Sequence, residues 1–152
     1  MIIHAMSRLR AQRLRPNPSC ALISISTPGK PYARELPTKG WLGFLALEFD
    51  DVAHQVPEHL GEPSDWLTTS FIRFNEADAS RVVFAARKAA DAGCKDLVIH
   101  CDAGLSRSVA IAESLRAAGL GELKLWECDK PLRANPLVLQ HMRRVLVTEN
   151  AS

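Results

Sequence analysis

The chain has 152 residues, 47% of them apolar and 24% charged, with a formal net charge of +2. These values are typical of a globular domain that buries its own core, and we expect residues 1–152 to form one domain. The small net charge argues against nucleic acid as a partner. No segment approaches the roughly 20 apolar residues of a membrane span, which argues against a membrane partner.

The cysteines and histidines show no arrangement that predicts a disulfide framework or a metal centre. No CxxC spacing occurs, and no secretory signal is visible in the sequence. The five histidines form neither HExxH nor a Cys/His zinc pattern, so we expect no metal and no other cofactor. We also expect a cytoplasmic protein with reduced thiols at Cys20, Cys94, Cys101 and Cys128.

The first part of the chain alternates apolar runs with residues that break regular structure. Residues 1–6 predict a short strand and residues 7–14 a helix. Residues 20–26 predict a strand that ends at a Thr-Pro-Gly turn. Residues 41–49 are apolar on both alternating faces, which predicts an internal strand covered on both sides. Residues 52–70 contain two prolines and little periodicity, so we expect an irregular segment.

The second part of the chain gives clearer signals. Residues 76–92 predict a helix that Asn75 caps, with apolar positions at helical spacing. Residues 96–101 predict a buried strand, 107–118 a helix, and 136–148 a last helix after an Asn-Pro start. Strands that alternate with helices indicate the α/β class, with a small central sheet flanked by helices.

Five residues, Asp-Ala-Gly-Leu-Ser, connect the strand that ends at Cys101 with the helix that begins at Arg107. Such a connection gathers backbone N–H groups at the positive end of a helix, where they bind a tetrahedral dianion. Gly104 permits a positive φ, and Arg107 offers a planar pair of donors for two phosphate oxygens. The positive electrostatic field at the helix start also favours a thiolate at Cys101. We therefore predict a nucleophilic sulfur below a phosphate that is bound by Asp102, Ala103, Gly104, Leu105, Ser106 and Arg107.

The segment around this loop matches the signature HCxxGxxR[S/T] at His100, Cys101, Gly104, Arg107 and Ser108. The chain thus resembles the cysteine-dependent protein tyrosine and dual-specificity phosphatases, and most of all their compact bacterial and phage members. The resemblance extends more weakly over most of the chain, through "ALISI", "LEFDDV" and "NPLVL". It implies a small mixed sheet flanked by helices.

The resemblance also implies an activity and a partner. The expected reaction is hydrolysis of a phosphomonoester through a cysteinyl-phosphate, with a phosphorylated protein or peptide as the substrate. Phosphotyrosine is the expected target, and phosphoserine and phosphothreonine are considered as additional targets. His100 is expected to orient the cysteine loop by hydrogen bonding, and Ser108 to donate a hydrogen bond to the sulfur.

The family uses an aspartate as general acid, on a loop that follows a strand. In the compact family members the acid and the cysteine have a usual separation along the chain. That separation would favour Asp65 or Asp78 here. Asp78, however, falls in the first turn of a predicted helix, where a carboxylate stabilises the helix itself, and no predicted strand precedes Asp65. We predict Asp51 as the acid and its neighbour Asp50 as the second choice, because both follow an apolar strand and adjacent carboxylates favour protonation of one. Residues 52–70 are then an insertion.

Other classes of function stay open at this stage. The first alternative is a catalytically impaired phosphate or phosphopeptide reader, since no motif identifies the acid. A rhodanese-like sulfur transferase also carries a cysteine in a loop before a helix, but the full signature disfavours it. Asp51 and His54 make a weak pair of metal ligands. The loop contains no lysine or arginine, and Asp102 would repel additional phosphates, so a monophosphoester is the expected substrate.

Overall fold

The computed structural model describes residues 1–30, 36–52 and 71–150. Within these residues, strands and helices alternate along the chain. The strands are β1 (Ile2–Ser7), β2 (Cys20–Ser26), β3 (Gly43–Glu48), β4 (Asp96–Cys101) and β5 (Glu122–Leu125). The helices are α1 (Arg8–Ala11), α2 (Glu76–Asp91), α3 (Arg107–Ala117) and α4 (Pro136–Asn150).

The five described strands form one sheet in the order β3-β2-β4-β1-β5. Each neighbouring pair of strands is parallel. The α/β class and the flanking helices are therefore confirmed, whereas the mixed sheet implied by the phosphatase resemblance is wrong for the described strands. Parallel neighbours require connections that return to the amino end of the sheet. The carboxyl ends of all five described strands therefore lie at the same end of the sheet.

The sequence-based prediction was wrong for the two strands at the edges of the described sheet. The apolar run 41–49 predicted an internal strand, but β3 lies at one edge of the described sheet and pairs with β2 alone. Only Leu47 and Phe49 of that run are buried, because the strand has a neighbour on one side. At the opposite edge, β5 was not predicted, since its four residues include Glu122 and Lys124 and give too short a pattern.

The central strands are buried on both faces. Ile23 and Ile99, from β2 and β4, belong to a large apolar cluster with residues of α2, α3 and α4. Their chain neighbours Leu22 and Val98 belong to a second, smaller cluster with Ala11 of α1. This alternation at every second residue is that of a strand covered on both sides, and it explains the continuous apolar runs in the sequence.

Helix boundaries agree with the prediction where a capping residue marks them. At the start of α2, the Asn75 side-chain oxygen accepts from the backbone N of Asp78 at 2.9 Å. The Asp78 carboxylate accepts in return from the backbone N of Asn75 at 3.1 Å, so Asp78 has the structural role expected of it. In contrast, α1 has four residues where the sequence predicted eight, because helix propensity alone does not support a short helix.

The chain beyond β3 is described only in part. The predicted irregular segment 52–70 lies outside the described residues except for Val52, as do Asp65 and His54. Ile72, which lies shortly before α2, exchanges two hydrogen bonds with Asp50. Among the helices described here, none is long and apolar enough to cross a membrane.

Strand β4 carries the candidate nucleophile, so its packing sets the precision of the site. Ile99 is fully buried, with 0% of its surface exposed. We expect Ile99→Ala to lower the free energy of unfolding by about 2–5 kcal/mol, and Ile99→Val by about 0.5–1.5 kcal/mol. Urea unfolding measures both, with Leu9→Ala as a control at a residue that is 63% exposed. Equal losses for Ile99→Ala and Leu9→Ala would contradict the described packing.

Candidate active site

The candidate site lies at the end of the sheet where the strands have their carboxyl ends. Residues from three of these strand ends meet there. β2 is followed by Thr27, β3 by Phe49 and the two aspartates, and β4 ends at Cys101. In open parallel sheets this end is the usual place for ligands, since helix starts and strand ends converge there. The register of parallel strands therefore brings together residues that are far apart in the chain.

Cys101 occupies the last position of β4, with 2% of its surface exposed. Its Sγ lies 3.2 Å from the Ser108 hydroxyl oxygen and 3.3 Å from the backbone N of Gly104. Ser108 is fully buried in the first turn of α3. The Gly104 N–H donates to this sulfur, and in the contact between Cys101 and Ser108 either side chain can be the donor. The Ser108 hydroxyl thus lies within hydrogen-bond distance of the sulfur, and its donation to a thiolate stays a prediction.

In the loop between Cys101 and Arg107, carbonyl groups bond to other parts of the protein, while most backbone N–H groups have no acceptor among the described residues. Its carbonyls accept from the backbone N of three residues outside the loop: Arg8 to Asp102, Arg133 to Leu105 and Asn135 to Ser106. Within the described part of the chain, no acceptor is found for the backbone N–H groups of Ala103, Leu105, Ser106 and Arg107. Such N–H groups at a helix start are available to an anion.

Gly104 is required in this loop for two separate reasons. Its φ is +73°, a backbone conformation that side chains disfavour. In addition, a Cβ at this position would lie 2.5 Å from the carbonyl carbon of Met6 and 2.5 Å from the backbone N of Ser7. The loop therefore packs directly on the carboxyl end of β1. This contact fixes the position of the loop relative to the sheet.

His100 is a buried neutral imidazole that links β4 to β2. Its Nε2 lies 2.6 Å from the Ser24 hydroxyl oxygen, and its Nδ1 lies 3.4 Å from the carbonyl oxygen of Cys101. Burial lowers the pKa of His100 to about 4. Because the carbonyl can only accept, the ring proton sits on Nδ1, and Nε2 accepts from Ser24. This arrangement agrees with an orienting role, as the resemblance implied.

Arg107 is held by acceptors from three different parts of the chain. Its side chain is almost fully buried, with 5% of the residue exposed. Nη1 donates to the Phe49 carbonyl at 2.8 Å and to the Thr27 hydroxyl at 3.2 Å, and Nη2 donates to the Asp102 carboxylate at 3.2 Å. Its Nε is buried and has no partner in the described residues. The sequence predicted Arg107 as a phosphate ligand but did not reveal Thr27 or Phe49.

The Asp102 side chain faces Arg107. Its Oδ2 accepts from the Thr27 hydroxyl at 2.8 Å and from Arg107. Its Oδ1 is buried with no partner among the described residues. The sequence predicted that the backbone of Asp102 would bind phosphate and that its charge would repel further phosphates, and it gave no indication of this ion pair.

The structure separates the two candidate acids. Asp51 Oδ1 accepts from the Ser106 hydroxyl at 2.8 Å and from the Asn135 side-chain N at 2.7 Å. Asp51 therefore lies against the loop that follows Cys101, whereas the Asp50 carboxylate accepts from the backbone N of Ile72 at 2.8 Å. Asn135 was predicted only as a helix cap. It does cap α4, since its side-chain oxygen accepts from the backbone N of Leu137 and Val138, and its amide group also anchors Asp51.

The other cysteines do not contribute to the described site. All four cysteines are free, and Cys20 and Cys94 are buried while Cys128 is exposed. Burial raises the pKa of the Cys20 thiol to about 12 and also raises the pKa of Cys94. No cluster of three potential metal ligands occurs among the residues that the structure describes.

Comparisons with models of protein families, with curated proteins and with solved structures find no match to this chain. The signature residues and their geometry are therefore the basis for assigning a function.

The dual requirement at Gly104 gives a testable prediction with a matched control. Gly29 also has a positive φ of +80°, but a Cβ there would meet no atom within 4 Å. We expect Gly29→Ala to lower the free energy of unfolding by about 1–2 kcal/mol from backbone strain. Gly104→Ala adds the clash with β1, which raises the loss by about 1–3 kcal/mol. Denaturant unfolding compares the two, and equal losses would show that the loop does not pack on β1.

Proposed function

We propose that this protein is a cysteine-dependent phosphatase that hydrolyses phosphomonoesters through a cysteinyl-phosphate intermediate. One observation carries the proposal: the Cys101 sulfur accepts from the Gly104 amide of its loop, while other loop amides and the Nε of the buried Arg107, which begins the next helix, have no partner among the described residues. A tetrahedral dianion satisfies both sets of donors at once. The resemblance of the signature to the protein tyrosine and dual-specificity phosphatases supports the same assignment.

In the first proposed step, the Cys101 thiolate attacks phosphorus and forms an S–P bond while the P–O bond to the leaving group breaks. The loop amides and Arg107 hold the other phosphate oxygens, which carry most of the charge in the transition state. The leaving oxygen receives a proton from Asp51. The products of this step are the free alcohol or phenol and phosphorylated Cys101.

In the second step, water attacks the phosphorus of the intermediate. The Asp51 carboxylate takes a proton from that water, and the S–P bond breaks to release inorganic phosphate and regenerate the thiolate. Ser108 stabilises the departing sulfur through the hydrogen bond of 3.2 Å. His100 stays neutral above a pH of about 4 and takes no proton in either step.

The contacts of Asp51 suit this role better than those of Asp50. The Ser106 hydroxyl and the Asn135 amide group fix one carboxylate oxygen beside the loop. The other oxygen, Oδ2, has no hydrogen-bond partner among the described residues, and we propose that it carries the transferred proton. Asp50 is engaged with the backbone of Ile72, which supports a structural role for it.

The proposed substrate is a phosphorylated protein or peptide, with phosphotyrosine first and phosphoserine or phosphothreonine second. The loop supplies no lysine or arginine beyond Arg107, and Asp102 adds a negative charge beside it. A site with this balance favours a single phosphate group over a polyphosphorylated ligand. The free thiols fit a reducing compartment such as the cytoplasm.

A second candidate function is a phosphopeptide reader without turnover. The observation in its favour is that Asp51 Oδ1 already accepts from the Ser106 hydroxyl and from the Asn135 side-chain amide, contacts that also suit a purely structural tie between the loop and the start of α4. Such a protein would bind phosphate with the same loop and arginine. Turnover is therefore the measurement that separates the two functions.

The nucleophile is tested with p-nitrophenyl phosphate. We expect the wild type to hydrolyse it with inhibition by orthovanadate, and Cys101→Ser to lose hydrolysis because a serine hydroxyl is a much weaker nucleophile than a thiolate. Ser114→Ala is the control, since its buried hydroxyl bonds within α3 and not at the site. Phosphopeptide binding without hydrolysis by the wild type would favour the reader, and sulfur transfer from thiosulfate would favour a sulfurtransferase.

The acid is tested with two leaving groups. We expect Asp51→Asn to lower kcat for a phosphotyrosine peptide by about 10²–10⁴-fold, because a poor leaving group needs the proton. The loss should be much smaller for p-nitrophenyl phosphate, whose leaving group departs without protonation. Asp50→Asn is the matched control and should leave this ratio unchanged. The assignment fails if both variants keep wild-type rates with the phosphotyrosine peptide.

A further inference from the structure

Arg107, Thr27 and Asp102 form a closed triangle of hydrogen bonds at the carboxyl end of the sheet. The Thr27 hydroxyl lies 2.8 Å from Asp102 Oδ2 and 3.2 Å from Arg107 Nη1, and Nη2 lies 3.2 Å from the same Oδ2. The three residues come from the end of β2, the loop after β4 and the start of α3. The triangle therefore links two strand ends to the helix that begins at Arg107.

The direction of each hydrogen bond in the triangle follows from the groups involved. An arginine only donates and an ionised carboxylate only accepts. The Thr27 hydroxyl stands between them, so it accepts from Arg107 and gives its single proton to Asp102. Both capacities of this hydroxyl are used, and Thr27 therefore fixes the relative position of the two charged groups.

The triangle determines which donors of Arg107 remain. The guanidinium has five N–H groups, and the protein engages both N–H groups of Nη1 and one of Nη2. Two are left, on Nε and Nη2. Because the Thr27 and Asp102 oxygens that Nη1 and Nη2 contact lie 2.8 Å apart, Nη2 uses its N–H on the Nη1 side, and the N–H left on Nη2 is the one beside Nε. Nε is buried without a described protein partner. A parallel pair of donors on one side is the arrangement that binds two oxygens of a phosphate.

The burial of these groups makes the arrangement costly to lose. Only 6% of the Arg107 side chain is exposed, against 31% for Asp102. A buried cation without a counter-charge is strongly unfavourable, and Asp102 supplies that charge in the absence of an anion. The same contact keeps the guanidinium from rotating toward other acceptors.

We propose that Thr27 and Asp102 are positioning residues for Arg107, which turn its Nε and Nη2 donors toward the oxygens of the bound phosphate. This inference rests on the proposed function. It assigns a role to Thr27, which the signature does not contain, and it gives Asp102 a side-chain role in addition to its backbone position in the loop. Neither residue needs to touch the substrate, because both act through the guanidinium.

Thr27→Val tests the proposal without changing any charge. It keeps the shape of the side chain and removes the hydroxyl, so we expect the dissociation constant for inorganic phosphate to rise by about tenfold, as for loss of a hydrogen bond to a charged group. Thr27→Ser restores the hydroxyl and should return the constant to within about twofold of the wild type. NMR titration in the Cys101→Ser background measures it, and thermal unfolding checks that each variant is folded.

For Asp102→Ala, the proposal and simple electrostatics predict opposite changes in the affinity for phosphate. Removing a negative charge beside an anion site would by itself tighten phosphate binding. If Asp102 positions Arg107, the variant instead weakens phosphate binding and lowers kcat for p-nitrophenyl phosphate by about tenfold or more. Tighter phosphate binding by Asp102→Ala would overturn the proposed role of Asp102.

A double-mutant cycle shows whether Thr27 acts through Arg107. In the Arg107→Lys background the planar pair of donors is gone, so Thr27→Val should change the phosphate dissociation constant by less than about twofold. A tenfold effect in that background would mean that Thr27 contacts the ligand directly, which overturns the proposal. If the wild type neither hydrolyses p-nitrophenyl phosphate nor binds phosphate, the proposed function itself fails. An active wild type with an unaffected Thr27→Val variant overturns the positioning role alone.

Discussion

The buried guanidinium of Arg107 organises the polar contacts at the carboxyl end of the sheet. A cation with 5% of its residue exposed must find acceptors inside the protein. It finds them at Phe49, Thr27 and Asp102, which lie at or beyond the ends of three different strands. The parallel sheet makes this possible, because it brings these strand ends to one end. The fold thus holds a buried charged donor next to the loop that follows Cys101.

The loop that follows Cys101 is held in place by hydrogen bonds to its carbonyl groups. Its carbonyls bond to the backbone at three points outside the loop, while four of its amides keep free donors among the described residues. Gly104 allows close contact with β1, and Asp51 reaches the loop through Ser106. Neutral His100 ties the strand beneath it to β2. Together these contacts bring the sulfur, the loop amides and the Asp51 carboxylate to the carboxyl end of the sheet, and this arrangement is the basis of the proposed phosphatase.

Much of the fold was predictable because its signals are local. The apolar run that forms β2 and the capping box of Asn75 and Asp78 both appear at the predicted positions. The errors came from properties that depend on neighbouring strands. The run 41–49 could not reveal that β3 lies at an edge, and β5 is too short to produce a pattern. The parallel order of the strands differs from the mixed sheet that resemblance implied.

The sequence by itself determined the α/β class and the composition of the loop from Cys101 to Ser108, because the strand, the glycine and the helix start are encoded within a few residues. The tertiary structure alone decided which distant groups complete the site. It brought Thr27 and Phe49 to Arg107, turned the Asp102 carboxylate toward the guanidinium, and placed Asp51 rather than Asp50 beside Ser106. The contacts of Arg107 with Thr27 and Phe49 and of Asp51 with Ser106 depend on strand order and register, since they join residues 80, 58 and 55 positions apart. The Asp102–Arg107 pair is only five residues apart, and Thr27, which follows β2, holds its geometry through a hydrogen bond to each partner.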